Sequence, residues 1–183
     1  MALGHTLFRV AVGGTFFAHG AQKLFGWFGG HGLEATSGAF DSMGLKPGKR
    51  TALVAGASEA GGGALLALGF LTPAASAALI GVMHRAVRTV HLDKGFFVTD
   101  GGYEYNLILG ASAFALADIG PGPLSLDEKL GLRMSGPAWA LAALGAGLAG
   151  PKLLERLAPA DELAAAAHAP EHAPAPVQPT AVA

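Results

Sequence analysis

An all-α integral membrane bundle of four helices is the fold the sequence predicts, with a fifth apolar helix near the C-terminus and a disordered tail. Three observations predict it. Hydrophobic residues make up 51% of the 183 and charged residues only 14%, where an ordinary soluble domain has about 25% charged residues. The mean hydropathy is +0.44. Apolar stretches recur at about the twenty residues a helix needs to cross a bilayer core of roughly 30 Å. Finally, the few polar residues inside those stretches gather in one half of the bundle.

The first apolar segment runs from about Leu3 to Phe28. Met1 to His5 carries no Lys or Arg, so the segment is expected to be retained rather than cleaved as a signal peptide. Arg9, Gly13, Phe16, Gly20 and Lys23 fall on one helical face, and small residues there allow close helix approach. Arg9 lies in the half away from the other polar residues and is expected to snorkel to the nearer interface. His19, Gln22 and Lys23 close the segment beside Trp27, a residue that favours the membrane interface. The connector 29–50 is polar and predicts a short surface helix over 33–43.

Residues 51–92 form an apolar hairpin folded at Leu71-Thr72-Pro73. Pro73 suits the first turn of the second arm, where its missing N–H costs nothing. The first arm carries one charge, Glu59; the second turns basic with His84, Arg85, Arg88 and His91. Glu59 and His84 are equally far from the fold, both about 19 Å deep at 1.5 Å per residue. His84, Arg88 and His91 fall at i, i+4, i+7, which is one face of a regular helix. A charge at that depth costs on the order of 2.5–3.5 kcal/mol even on lenient insertion scales, so Glu59 is expected to be paired, functional or both. Arg88 or Arg85 is the expected partner. A purely structural ion pair and a protonatable group beside a quinone headgroup both fit.

Residues 91–102 read as a turn-rich loop carrying Phe96 and Phe97, and 103–119 as the fourth helix, opening with Tyr103-Glu104-Tyr105. Tyr103, Tyr105, Trp27, Phe96 and Phe97 are expected as interface anchors. The run Gly120-Pro-Gly-Pro-Leu-Ser-Leu-Asp127 stops that helix, and Ser125 or Asp127 then suits the cap of a short helix. Residues 137–150 are apolar but short for a span, so 135–157 reads as a fifth span or an interfacial helix. The expected division is 1–134 for the membrane domain, 135–157 for the fifth helix and 158–183 for an Ala/Pro/His-rich disordered tail with solvated His168 and His172.

Several functions are excluded or disfavoured. A net charge of −1 without a clustered basic stripe gives no support for nucleic-acid binding. Zero cysteines exclude disulfides, thiol catalysis and Cys-held clusters. Gly61-Gly62-Gly63 follows no strand and precedes no Lys-Ser/Thr, so it is not a phosphate loop; it suggests close helix packing or a locally loosened helix. No metal site is expected, because no two His of the basic stripe lie at i, i+4. Counted over four spans, Lys46, Lys49, Arg50 and Lys94 at one end face Lys129, Arg133, Lys152 and Arg156 at the other, a tie that leaves orientation open.

The ordered pieces His19-Gly-Ala-Gln-Lys23-Leu-Phe-Gly26, Glu59-Ala-Gly-Gly62, His91 through Phe97, Gly102-Tyr-Glu-Tyr105 and Gly120 through Asp127 resemble the DoxX family of small bacterial membrane proteins, over about residues 5–132. The resemblance implies a multi-pass four-helix bundle in the bacterial inner membrane. It also implies a link to quinone-dependent oxidoreductases, some relatives being subunits of thiosulfate:quinone oxidoreductase. On that basis the expected function is an oxidoreductase-associated membrane subunit. Glu59 would be the proton-exchanging acid and Arg88 its charge partner; His19, Gln22, Lys23, His84, Arg85, His91 and Glu104 would line a quinone pocket. Quinone is the expected cofactor, and the bilayer, a redox partner subunit and a second copy of the chain are the expected partners. A non-enzymatic scaffold for a redox partner is the alternative, and a small-solute or proton transporter a third.

Overall fold

Glycine decides how the first two long helices meet. The computed structural model describes residues 2–156, and all regular structure among them is helical. Helix α1 (Ala2–Phe25) lies against α3 (Gly48–Leu68) with the backbones nearly touching. A Cβ on Gly20 would collide with the backbone of Gly56 and Ala60, one on Gly13 with that of Gly63 and Ala67, and one on Gly63 with that of Phe17 and Gly13. Such small-residue seams let main chains approach closely enough for dispersion contacts along their whole length. Helix α3 runs unbroken through Gly61-Gly62-Gly63; Gly62 packs on Leu79 and Gly63 on α1, and the run does not loosen the helix.

Between them Gly26 turns left-handed (φ 71), which ends α1 three residues earlier than the sequence suggests. The expected surface helix forms as α2 (Gly32–Ser42) and lies across α3 and α1. Asp41 near its end accepts a hydrogen bond from the Gly48 amide at 2.7 Å, satisfying a donor that the first turn of α3 would otherwise orphan.

The predicted hairpin is α3 followed by α4 (Thr72–Ala86), with Gly69 and Leu71 in the left-handed region at the fold (φ 64 and 48). Beyond Ala86 the helix widens into one π turn, Val87–His91. Helix α5 (Glu104–Ile119) follows the loop, Ser125 caps the short α6 (Leu126–Lys129) by accepting from the Glu128 amide, and α7 (Pro137–Arg156) closes the described chain. The stretch from Leu157 onward, with His168 and His172, lies outside the described residues.

Helix α7 packs on α4 and α5. Gly81 of α4 approaches the Gly147 carbonyl of α7, and Ala117, Ala140 and Ala143 form a small apolar joint between α5 and α7. The apolar segment after residue 135 is therefore a fifth member of the bundle and not a helix lying apart from it. The main core joins α1, α3, α4 and α5 through Phe16, Leu66, Leu79, Met83, Leu109 and Leu116.

The end of the bundle at the α3–α4 fold is locked by buried polar groups. Arg9 is 2% exposed and its two terminal nitrogens donate to the Pro121 and Leu124 carbonyls, each at 2.7 Å. Asp127, fully buried, accepts from the amides of Leu71 (2.8 Å) and Thr72 (3.1 Å) and from the Thr72 hydroxyl (2.9 Å). It thereby caps α4 from 55 residues away. Arg9 does not snorkel: the carbonyls of the Gly-Pro-Gly-Pro turn fold over α1 and supply inside the protein what the interface would have offered.

Of the described helices, α3 alone is long and apolar enough to cross a membrane by its own length and composition. The others fall short of that standard one by one; α5, for example, has 16 residues.

Candidate functional site

At the opposite end the helices splay and leave a half-open cavity of about 690 Å³. Helices α1, α3, α4 and α5 form its walls, the α2–α3 connection covers it on one side, and the last turns of α7 complete the other. Its lining is mostly apolar, with Phe16, Val54, Val82 and Leu109 among the contributors.

A buried ion pair lies in this cavity. Lys23 Nζ donates to Glu59 Oε2 at 2.6 Å. The Glu59 side chain is 5% exposed and that of Lys23 26%. Helix α1 can deliver Lys23 to Glu59 because Gly20, one turn earlier, brings its backbone against Gly56 and Ala60. A charge-assisted bond of that length is among the stronger polar contacts available to a protein, and it is what permits a carboxylate in this apolar setting.

The partner expected from sequence, Arg88 or Arg85, is thus replaced by Lys23. Depth along the hairpin put Glu59 level with the basic end of α4, but depth says nothing of which way a side chain faces. Glu59 looks toward α1, the helix in closest contact with α3. The stripe His84/Arg88/His91 is also broken up. In the π turn each residue advances the chain less than the 100° of an α-helix, because its bonds run i→i+5. Arg88 is exposed and lies outside the cavity lining, as does His84. The Nδ1 of His84 is buried without a hydrogen-bond partner.

Among the other expected site residues, His19, Arg85 and His91 do line the cavity together with Lys23 and Glu59. His91 Nδ1 donates to the Gly101 carbonyl at 2.6 Å. Because a carbonyl only accepts, this fixes the proton on Nδ1 and leaves Nε2 as an acceptor when the ring is neutral. His19 meets Tyr105 edge-on, with ring centroids 6.4 Å apart. Gln22 and Glu104 lie outside the lining and hold loops instead. Gln22 Nε2 donates to the Phe28 carbonyl at 3.1 Å, and Glu104 accepts from the Val98 amide at 2.9 Å.

Two lining residues escape a reading based on charge. Tyr105, grouped by sequence with the interface anchors, faces the cavity. Asn106, 8% exposed, also lines it, and its amide nitrogen lies 3.6 Å from the Met83 sulfur. Its signal was available: it is the one side-chain amide in the apolar run of α5. Among the described residues no three metal-ligating side chains converge, and the lining offers a headgroup one acid, two amines, one amide, two imidazoles, two guanidinium groups and four hydroxyls.

Fold and cavity together define an all-helical bundle that places a desolvated ion pair at the edge of an apolar, half-open pocket. Residues 4–92 match the family model for DoxX, the family that the sequence motifs resemble. The match runs from α1 to the end of the π turn and so contains His19, Lys23, Glu59 and His91. No curated protein and no solved structure shows significant similarity to the chain.

Proposed function

We propose that this chain is a multi-pass DoxX-family protein of the bacterial inner membrane that serves a quinone-linked oxidoreductase as a membrane subunit. The observation that carries the reading is the Lys23–Glu59 pair inside a cavity of about 690 Å³ with apolar walls. Ligand pockets for small molecules fall at about 300–1,000 Å³, with mostly apolar linings and a few convergent polar groups. Membrane insertion is supported by the exterior of the bundle: Leu7 is 71% exposed, Ile108 63% and Leu141 61%, on three different helices. A face of that kind is costly in water and natural in lipid. The 15 residues of α4 and the 5 of its π turn also run on as one helix, which brings that arm to spanning length.

In this reading a quinone ring sits between the ion pair and the His19–Tyr105 edge. Glu59 is the group that exchanges protons with the ring oxygens, and Lys23 takes the charge-partner role first assigned to Arg88. His91 Nε2 is an acceptor for the protonated, reduced ring. Electrons come from a redox partner protein. A scaffold reading competes, because the same pair also clamps α1 to α3; the openness of the cavity beside the pair favours the binding site.

The experiment is mass spectrometry on chain extracted from quinone-containing membranes in mild detergent. Near-stoichiometric quinone is expected in the native chain, with a loss of at least tenfold in Glu59→Gln or Asn106→Leu, while the folded yield is retained. Absence of quinone from native protein would refute the binding site and leave the scaffold.

A further inference from the structure

The tie between cationic residues at the two ends of the bundle does not survive the position of α7. With four spans, Lys152 and Arg156 fall at the end that holds Lys129 and Arg133. Helix α7, however, starts beside the end of α5, where the Gly136 amide donates to the Asp118 carbonyl at 2.7 Å. It then runs back along α4, past the contact of Gly147 with Gly81. Its last turns reach the cavity end: Arg50 at the start of α3 donates to the Leu154 carbonyl at 3.1 Å, and Pro151 and Leu154 share the cavity wall with Lys46.

The chain has twelve Lys and Arg, all within the described residues. At the locked end stand Arg9, which is buried, Lys129 and Arg133. The rest belong to the cavity half: Lys46, Lys49 and Arg50 on the approach to α3, Arg85, Arg88 and Lys94 around the end of α4, Lys152 and Arg156 on α7, and Lys23 in the cavity itself. That is nine against three. Orientation in membranes follows the Lys/Arg bias of short connections and span ends, and acidic residues contribute little to it. Glu34, Asp41, Asp93 and Asp100 at the same end therefore do not cancel the bias. The connections concerned are short, the longer being 26–47.

We infer that the cavity end faces the cytoplasm and its anionic leaflet, so that the site exchanges protons, and meets its electron-donating partner, from the cytoplasmic side. The inference rests on the membrane reading above and adds to it a side. The Lys23–Glu59 pair opens onto a cavity that Lys46, Arg50 and Arg85 also line, whereas at the locked end Arg9 and Asp127 are buried in hydrogen-bonded networks. A reductant reaching this cavity must then come from the cytoplasm.

The absence of native cysteine makes a direct test clean. Single substitutions Ser42→Cys and Thr99→Cys at the cavity end, and Leu130→Cys at the locked end, keep all twelve cations and replace exposed side chains. A membrane-impermeant maleimide is applied to intact spheroplasts and to inverted vesicles. The expected result is labelling of Leu130→Cys from outside, and of Ser42→Cys and Thr99→Cys in inverted vesicles alone, with a contrast of at least tenfold. The reverse pattern, or equal labelling of both ends from both sides, overturns the inference while leaving the membrane reading intact. A carbonate wash of the same vesicles separates the two: a chain released by it refutes membrane insertion itself, and the orientation with it.

Discussion

Replacing Lys23 by Met should damage the protein more than replacing Glu59 by Gln, although both break the same 2.6 Å bond. Two unit charges at that separation attract by about 6 kcal/mol at an effective dielectric near 20. Most of that is offset by the cost of taking the two ions out of water, several kcal/mol each. The asymmetry arises when one partner is deleted. In Lys23→Met a carboxylate that is 5% exposed is left without a counter-charge, a situation that costs about 3–5 kcal/mol. In Glu59→Gln the orphan is an amine on a flexible stem, 26% exposed, which can swing toward the cavity mouth and hydrate; the loss is then about 1–2 kcal/mol, that of a buried hydrogen bond. For a chain of this size about 2–4 °C of melting temperature corresponds to 1 kcal/mol. Thermal unfolding in detergent should therefore fall by about 10 °C for Lys23→Met and by about 4 °C for Glu59→Gln. The double variant Lys23→Met/Glu59→Leu, with neither charge, should recover most of the Lys23→Met loss. Equal losses in the two single variants, or no recovery in the double variant, would refute the assignment of Lys23 as the residue that makes Glu59 tolerable.

Four further outcomes follow from the packing. Gly63→Ala places a methyl on the backbone of Phe17 and Gly13, so α1 must move off α3; a loss of about 1–3 kcal/mol is expected from overpacking, with weaker quinone retention because Lys23 moves with α1. Gly61→Ala, two residues away in the same helix with nothing within 4 Å, is the control: it should be neutral or raise the melting temperature, since Ala exceeds Gly in helix propensity by about 1 kcal/mol. Asp127→Ala orphans two amides and a hydroxyl at the start of α4 and should cost at least about 3 kcal/mol, read as a lower melting temperature and faster proteolysis between residues 120 and 136. Gly147→Leu pushes against Ile80 and the Ala77 carbonyl and should detach α7 from α4, measured as lost quinone retention with α1–α3 packing intact by amide exchange.

Helix positions were legible because each announces itself locally. The hairpin, its Pro73, the α2 surface helix and the Ser125 cap all follow from short-range pattern, and the structure places them within a few residues of where the sequence does. The fifth helix was ambiguous by length alone: 137–150 is too short for a span, and only the contacts of Gly147 and Ala143 with α4 and α5 extend it to Arg156 as part of the bundle. Crossing a membrane is a different matter. Composition argues for it as a property of the whole chain, while only α3 reaches that standard as a single helix.

The candidate site divides along the same line between height and azimuth. Counting 1.5 Å per residue from the fold puts Glu59 and His84 at one depth and the polar residues in one half of the bundle; of these, His19, Lys23, Glu59, Arg85 and His91 share one cavity. It fails on Glu59's partner because the direction in which a side chain faces depends on helix rotation. That rotation is set by contacts no hairpin count contains, here the seating of Gly20 on Gly56 and Ala60. It fails again on Arg88 and His84, where extrapolating the regular period runs into a π turn that has no composition of its own. Arg9 is the converse case. A lone arginine in an apolar segment reads as a residue reaching for water, yet the carbonyls of Pro121 and Leu124, 112 and 115 residues away, take that role. The glycine and proline run that binds it looked like a helix stop. Its second use follows from the same property: a turn without regular backbone pairing has carbonyls to spare, and a buried guanidinium is the group that can use two of them at once.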